Sequence, residues 1–141
     1  MDEQWLYVSR SKLTPAEAAA QIDDIVEVAR AGNARLGVTG TLIFTGRHFA
    51  QYIEGSPEAV AKLRRMIVTD PRHCDIITLA EGPIPARRFA TWSLAYAGPS
   101  QFVARTVAFP IDDLKSADRR AGVNKLLRLM DEFVLQYGKC G

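Results

Sequence analysis

Four uncharged polar or aromatic side chains, three on strand-like segments and one just before such a segment, set the chemical question of this sequence. Gln51 stands in the middle of "FAQYIEG", a segment that otherwise reads as a core strand. Tyr7 lies in "QWLYVS", Trp92 in "WSLAY", and Asn33 just ahead of "GVTGTLIFT". Alternate residues of a strand share a face, which puts Gln51 on one side with Phe49 and Ile53. A buried amide left without partners costs about 1–3 kcal/mol, so such a residue needs polar company. A glutamine can donate twice and accept twice, whereas a tyrosine hydroxyl donates once, so the pair satisfies itself only in part. Tyr, Gln and Asn together offer donors and acceptors but no nucleophile with a base. That set suits recognition of a flat heteroaromatic ring, apolar on its faces and polar at its edge. Ile25 and Ile67, each on a helical stripe, are placed to cover the two faces. Taken singly, each residue has a plainer reading. Gln51 is an edge-strand amide, Tyr7 and Trp92 are core aromatics, Asn33 is a turn residue tolerant of left-handed geometry, and His73 is a surface loop residue.

The elements that must position these residues follow from periodicity and punctuation. Gln4 to Ser9 is strand one, with Trp5, Tyr7 and Ser9 on one face. Thr14-Pro15-Ala16-Glu17 is a capping box with proline at the first helical position. Ile22, Ile25, Val26 and Ala29 continue the helix, which is expected to stop near Gly32, leaving Asn33 beyond its end. Residues 37–45 form strand two, Gly46-Arg47 a hairpin turn, and 49–54 strand three. Ser56-Pro57-Glu58 starts a second helix, whose stripe is Val60, Leu63, Met66 and Ile67 and which ends at Thr69-Asp70-Pro71. Ile76, Ile77 and Leu79 mark strand four. Pro83, Pro85, Arg87 and Arg88 lie in a loop, and Trp92 to Tyr96 is strand five. The order β-α-β-β-α-β-β predicts an α+β, ferredoxin-like sandwich with two helices on one sheet face. Val123, Leu126, Leu127, Met130, Phe133, Val134 and Tyr137 make an amphipathic helix expected to cap the other face.

Composition bounds the rest. The 141 residues are 48% hydrophobic and 24% charged, enough for one well-packed core. A net charge of +2 with scattered basic residues gives no footprint for nucleic acid or an anionic membrane. Cys74 and Cys140 are far apart, with no CxxC spacing for a metal. The acidic, polar start and the lack of a long apolar run lead us to expect a reduced, cytoplasmic protein. The segment after strand one, "SRSKLTPAE", has no glycine-rich phosphate cradle, which weighs against a phosphate-handling enzyme.

These segments together resemble the BLUF family of blue-light sensors that use a flavin. The likeness runs over roughly residues 4–97 and rests on "LYVSRS", "NARLGVTG", "FAQYIEG", "DPRH" and "RRFATWSLAY" in that order. It implies a flavin-binding domain over 1–97 and a C-terminal helical extension over 98–141. It implies a flavin (FAD, FMN or riboflavin) held without a covalent bond between the two helices. The resemblance makes Tyr7 the electron and proton donor, Gln51 the switching amide and Trp92 a light-responsive strand-five residue. It gives Asn33 the O4/N3 edge of the ring, Ile25 and Ile67 its faces, and Arg72 and His73 the ring or its phosphate-bearing chain. Light then leaves Gln51 rotated or tautomerised, with a new hydrogen bond to O4 and a small red shift. No substrate is turned over, so the resemblance implies a photoreceptor rather than an enzyme. It further implies self-association and signalling to a protein partner through strand five and the C-terminal helices. Two positions depart from the commoner family pattern: Leu94 stands where many members have methionine, and Gly32 precedes the asparagine without adding a side chain to the site. The alternative is a flavin- or small-molecule-binding interaction module that does not signal by light.

Overall fold

The computed structural model describes residues 1–90 and 93–97. Trp92, Cys140, the 98–141 extension and its amphipathic stripe lie outside the described residues. Seven elements are present: β1 (Glu3–Ser11), α1 (Pro15–Leu36), β2 (Thr39–Phe44), β3 (His48–Gly55), α2 (Pro57–Val68), β4 (His73–Pro83) and β5 (Ala95–Ala97). The sheet order is β4-β1-β3-β2-β5. The first four of these strands pair antiparallel, and β5 joins β2 in parallel. This is the α+β, ferredoxin-like arrangement expected from the element order.

The local signals act as their chemistry requires. Thr14 accepts from the Glu17 amide while the Glu17 carboxylate takes the Thr14 amide, closing both halves of the capping box. Ser56 caps α2 by accepting from Ala59. The turn after Phe44 uses Gly46 at φ 94°, a left-handed value that favours glycine.

The end of α1 corrects the sequence reading. The helix does not stop at Gly32 but continues to Leu36, so Asn33 lies inside its last turn and not in the connection. Gly37 is the true stop: it adopts φ 66° and its N–H returns to the Ala34 and Asn33 carbonyls. Both glycines look alike in the sequence, but only Gly37 takes the left-handed conformation, and the Val38 N–H after it still returns to the Asn33 carbonyl. Strand two accordingly begins at Thr39 rather than 37. Pro83, expected in the loop, is the last residue of β4, where an edge strand tolerates a missing N–H. Ser93 and Leu94 precede the last strand rather than forming part of it. Met66, expected on the packed stripe of α2, is 59% exposed.

Two apolar clusters tie the helices to the same sheet face. Trp5, Tyr7 and Ile53 pack with Ala59, Val60 and Leu63 of α2. Leu42, Phe44 and Phe49 pack with Ala18, Ile22 and Val26 of α1, and Leu94 joins this second group fully buried. Leu94 thus packs among apolar side chains, where a branched side chain needs no sulfur acceptor. On the opposite face the fully buried Glu54 gathers the loop after β4. Its two carboxylate oxygens accept from the Arg88 amide (2.7 Å), the Phe89 amide (2.7 Å) and the Thr39 hydroxyl (2.9 Å). Phe89 packs edge-on against Tyr52 at 5.5 Å. Arg87 adds bonds to Asp2 (2.8 Å) and to the Gly37 carbonyl (2.9 Å).

Candidate functional site

Strand register decides which side chains meet. Tyr7 of β1 is opposite Gln51 of β3, and Gln51 is opposite Leu42 of β2. The three form one row across the sheet, pointing toward the helices. All are buried, and the Tyr7 hydroxyl donates to Gln51 Oε1 at 2.5 Å. Gln51 Nε2 has no hydrogen-bond partner among the described residues.

Above this row α1 and α2 stand apart, leaving a cleft of about 230 Å³. Its walls are mostly apolar, with Ile25 and Ala29 from α1, Leu63 and Ile67 from α2, and Leu42 and Phe49 from the sheet. Ile25 and Ile67 are each half-buried because one side of each faces the open cleft. The uncharged polar groups Tyr7, Gln51 and Asn33 are buried deep in it, as in a site that orients a ring by its edge.

Asn33 reaches the cleft from the last turn of α1 and is 1% exposed. Its Nδ2 donates to the Ser93 carbonyl at 2.8 Å. Its Oδ1 is buried and makes no hydrogen bond. A fully buried amide oxygen without a donor is costly, and here it borders an open cleft. One turn earlier, Arg30 Nε donates to the Leu94 carbonyl at 3.2 Å, so α1 holds two successive carbonyls just before β5.

Arg72 and His73 also line the cleft, but both are occupied by the protein. Arg72 grips the Asp70 carboxylate through Nε (2.9 and 3.2 Å) and Nη2 (2.6 Å), with its own amide on Asp70 Oδ1. His73 Nε2 lies 2.6 Å from the Ile67 carbonyl, an acceptor only, so that nitrogen carries the proton and donates. Its Nδ1 lies 2.7 Å from the Ser9 hydroxyl. His73 is therefore a fixed wall whose ring stands 6.1 Å from that of Tyr7.

Electrostatics keep Tyr7 protonated. Burial raises its pKa most, and the Asp70 carboxylate raises it further. Asp70 itself is held below the ordinary carboxyl value of 3.8, chiefly by the side-chain bonds from Arg72, while partial burial works the other way. A carboxyl depressed in the folded state contributes stability above its ordinary value, and this is lost as pH falls through the folded value. We therefore expect thermal stability to drop as pH falls through and below 3.8, with Asp70→Asn flattening that part of the profile. Unchanged acid sensitivity in the variant would remove Asp70 from this role.

The structure thus brings together Tyr7, Ile25, Asn33, Gln51, Ile67, Arg72 and His73 around one cleft. Trp92 lies outside the described residues. Sequence reasoning missed Asp70, whose spacing from Arg72 was visible, and the carbonyls of Ser93 and Leu94, which no side-chain pattern reveals. Among the described residues no cluster of metal-ligating side chains occurs, and no helix is long and apolar enough to cross a membrane.

Comparison with known proteins agrees with this geometry. The family described as "BLUF: Sensors of blue-light using FAD" matches residues 3–95. The blue light- and temperature-regulated antirepressor BluF of Escherichia coli (strain K12) is 35% identical over 130 residues, 92% of this chain and 30% of the antirepressor. The photoactivated adenylate cyclase subunit beta of Euglena longa is 35% identical over 88 residues, 62% of this chain but 10% of that subunit. The chain therefore spans less than a third of either curated relative. The dark-state structure of BlrB, a BLUF protein, superposes with a TM-score of 0.77 at 35% identity, covering 93% of this chain and 96% of that one.

Proposed function

The chain belongs to the BLUF family of blue-light flavin sensors, and from that premise we propose that Tyr7, Gln51 and Asn33 are the groups through which it responds. The observation that carries this reading is the buried Tyr7–Gln51 hydrogen bond at the floor of a cleft into which Asn33 brings an orphaned acceptor. The residues present fit an isoalloxazine. Asn33 Oδ1 lacks a donor, which a ring N–H would supply, and Gln51 Nε2 lacks an acceptor, which the polar edge of the ring would supply. Ile25 and Ile67 offer apolar surface to its faces.

When bound, the flavin supplies a blue-absorbing ring system that becomes a strong oxidant on excitation. Everything else is done by the chain. Tyr7 holds its proton at Oη and has Gln51 Oε1 as its hydrogen-bond acceptor. On losing an electron to the excited ring, the phenol would release its proton to that amide oxygen, with Nε2 giving one up toward the cleft in return so that the amide stays neutral. In that imidic form, or after a turn about its Cγ–Cδ bond, the amide exchanges donor for acceptor at the cleft. Leu42 and Phe49 beside it exclude water, so the exchanged state is not levelled by solvent. Asn33 holds the cleft with one end of its amide and the Ser93 carbonyl with the other, so rearrangement at the floor bears on the approach to β5.

We read the chain as a sensor that turns over no substrate of its own, works in the cytoplasm, self-associates and passes its signal to a protein partner. We assign 1–97 to the sensor and 98–141 to an output extension. FAD is the flavin named for the family. A visible spectrum of the purified protein before and after blue light tests the reading. The expected result is a flavin band that moves slightly to the red and returns in darkness. Bound flavin with no such shift would favour the light-insensitive binding module.

A further inference from the structure

The mouth of the cleft differs from its floor. Val28 is 71% and Met66 59% exposed at the rim, while Tyr7, Asn33 and Gln51 are deep. Arg35 lines the same rim. Its Nη2 lies 3.9 Å from where a β-carbon on Gly32 would stand, so the guanidinium folds back over that bare stretch of α1. Among the described residues no carboxylate pairs with it. Arg72, the other arginine of the cleft, is neutralised by Asp70, and both ring nitrogens of His73 are engaged. Arg35 is thus the uncompensated cation lining this cleft.

The chemistry of the ligand class gives that cation a use. In an isoalloxazine, N10, which carries the ribityl chain, lies on the edge opposite N5. With the N5/O4 edge against Gln51, the chain must leave by the mouth, and any phosphate on it reaches the rim. We propose that Arg35 binds this phosphate, so that the protein retains phosphorylated flavins, FMN or FAD, in preference to riboflavin. The inference rests on the flavin-binding reading above.

The test uses the full chain, stripped of flavin and titrated separately with riboflavin, FMN and FAD, following quenching of flavin fluorescence. For a charge-assisted contact at an exposed rim we expect FMN and FAD to bind about tenfold tighter than riboflavin. Added salt should narrow that gap. Arg35→Ala should bring all three to the riboflavin value, with riboflavin binding itself unchanged as the control for folding. Arg35→Lys should keep part of the preference. Equal binding of the three by the parent protein, or a preference that survives Arg35→Ala and is lost in Arg72→Ala, would overturn the assignment while leaving flavin sensing intact. Failure of the parent to bind any flavin would overturn both.

Discussion

Gln51→Leu is expected to yield a protein that still binds flavin but shows no light-induced red shift. Leucine matches the amide in bulk and sits in a row already flanked by Leu42, so the cleft keeps its shape. What is lost is the only acceptor of the Tyr7 hydroxyl among the described residues, together with the Nε2 donor. Stranding that hydroxyl in the core costs about 1–3 kcal/mol, so a lower melting temperature should accompany the loss of response. The measurement is a light-minus-dark spectrum at matched flavin occupancy. A parental shift in Gln51→Leu would disprove the role given to this amide.

Glu54→Ala should produce the largest change in stability. The carboxylate is fully buried, and three donors from β2 and the loop after β4 converge on it. Removing it leaves two backbone amides and a hydroxyl without an acceptor, and opens a cavity beneath Phe89. Each buried donor left without an acceptor costs about 1–3 kcal/mol, so the loss should amount to several kcal/mol. Glu54→Gln keeps one acceptor oxygen and should lose clearly less. Urea unfolding followed by circular dichroism checks both. An alanine variant within about 1 kcal/mol of the parent, inside the ordinary spread for single substitutions, would show that the loop is held by other means.

Most of the site was legible because strand periodicity is short and strict. Once Tyr7 and Gln51 were placed on strands, their common face followed from counting by two, and the register then made them neighbours. Helix starts were equally readable, since Thr14 and Ser56 each announce themselves with a proline one residue later. Asn33 was placed beside the cleft it lines, but for an incomplete reason. Gly32 and Gly37 both look like helix ends, and only backbone geometry shows that the left-handed stop is Gly37. That difference turns Asn33 from a turn residue into a buried helical one. Glu54 was visible as a charge in an apolar strand, but two of the three donors that hold it lie 34 and 35 residues further on, in a loop without periodicity. His73 shows the same limit: its partners are a hydroxyl on β1 and a helix carbonyl, a juxtaposition set by tertiary packing.

The grip of α1 on the carbonyls of Ser93 and Leu94 has a mechanical consequence. The lead-in to the outermost strand is tethered by side chains of the helix that walls the cleft. A turn of the Asn33 amide would slip one tether without parting any rung between the four antiparallel strands. The three-residue fringe beyond would then be held by the Arg30 tether and by its pairing with β2, each rung worth about 1 kcal/mol net, so it is the part of the sheet whose release would disturb the rest least.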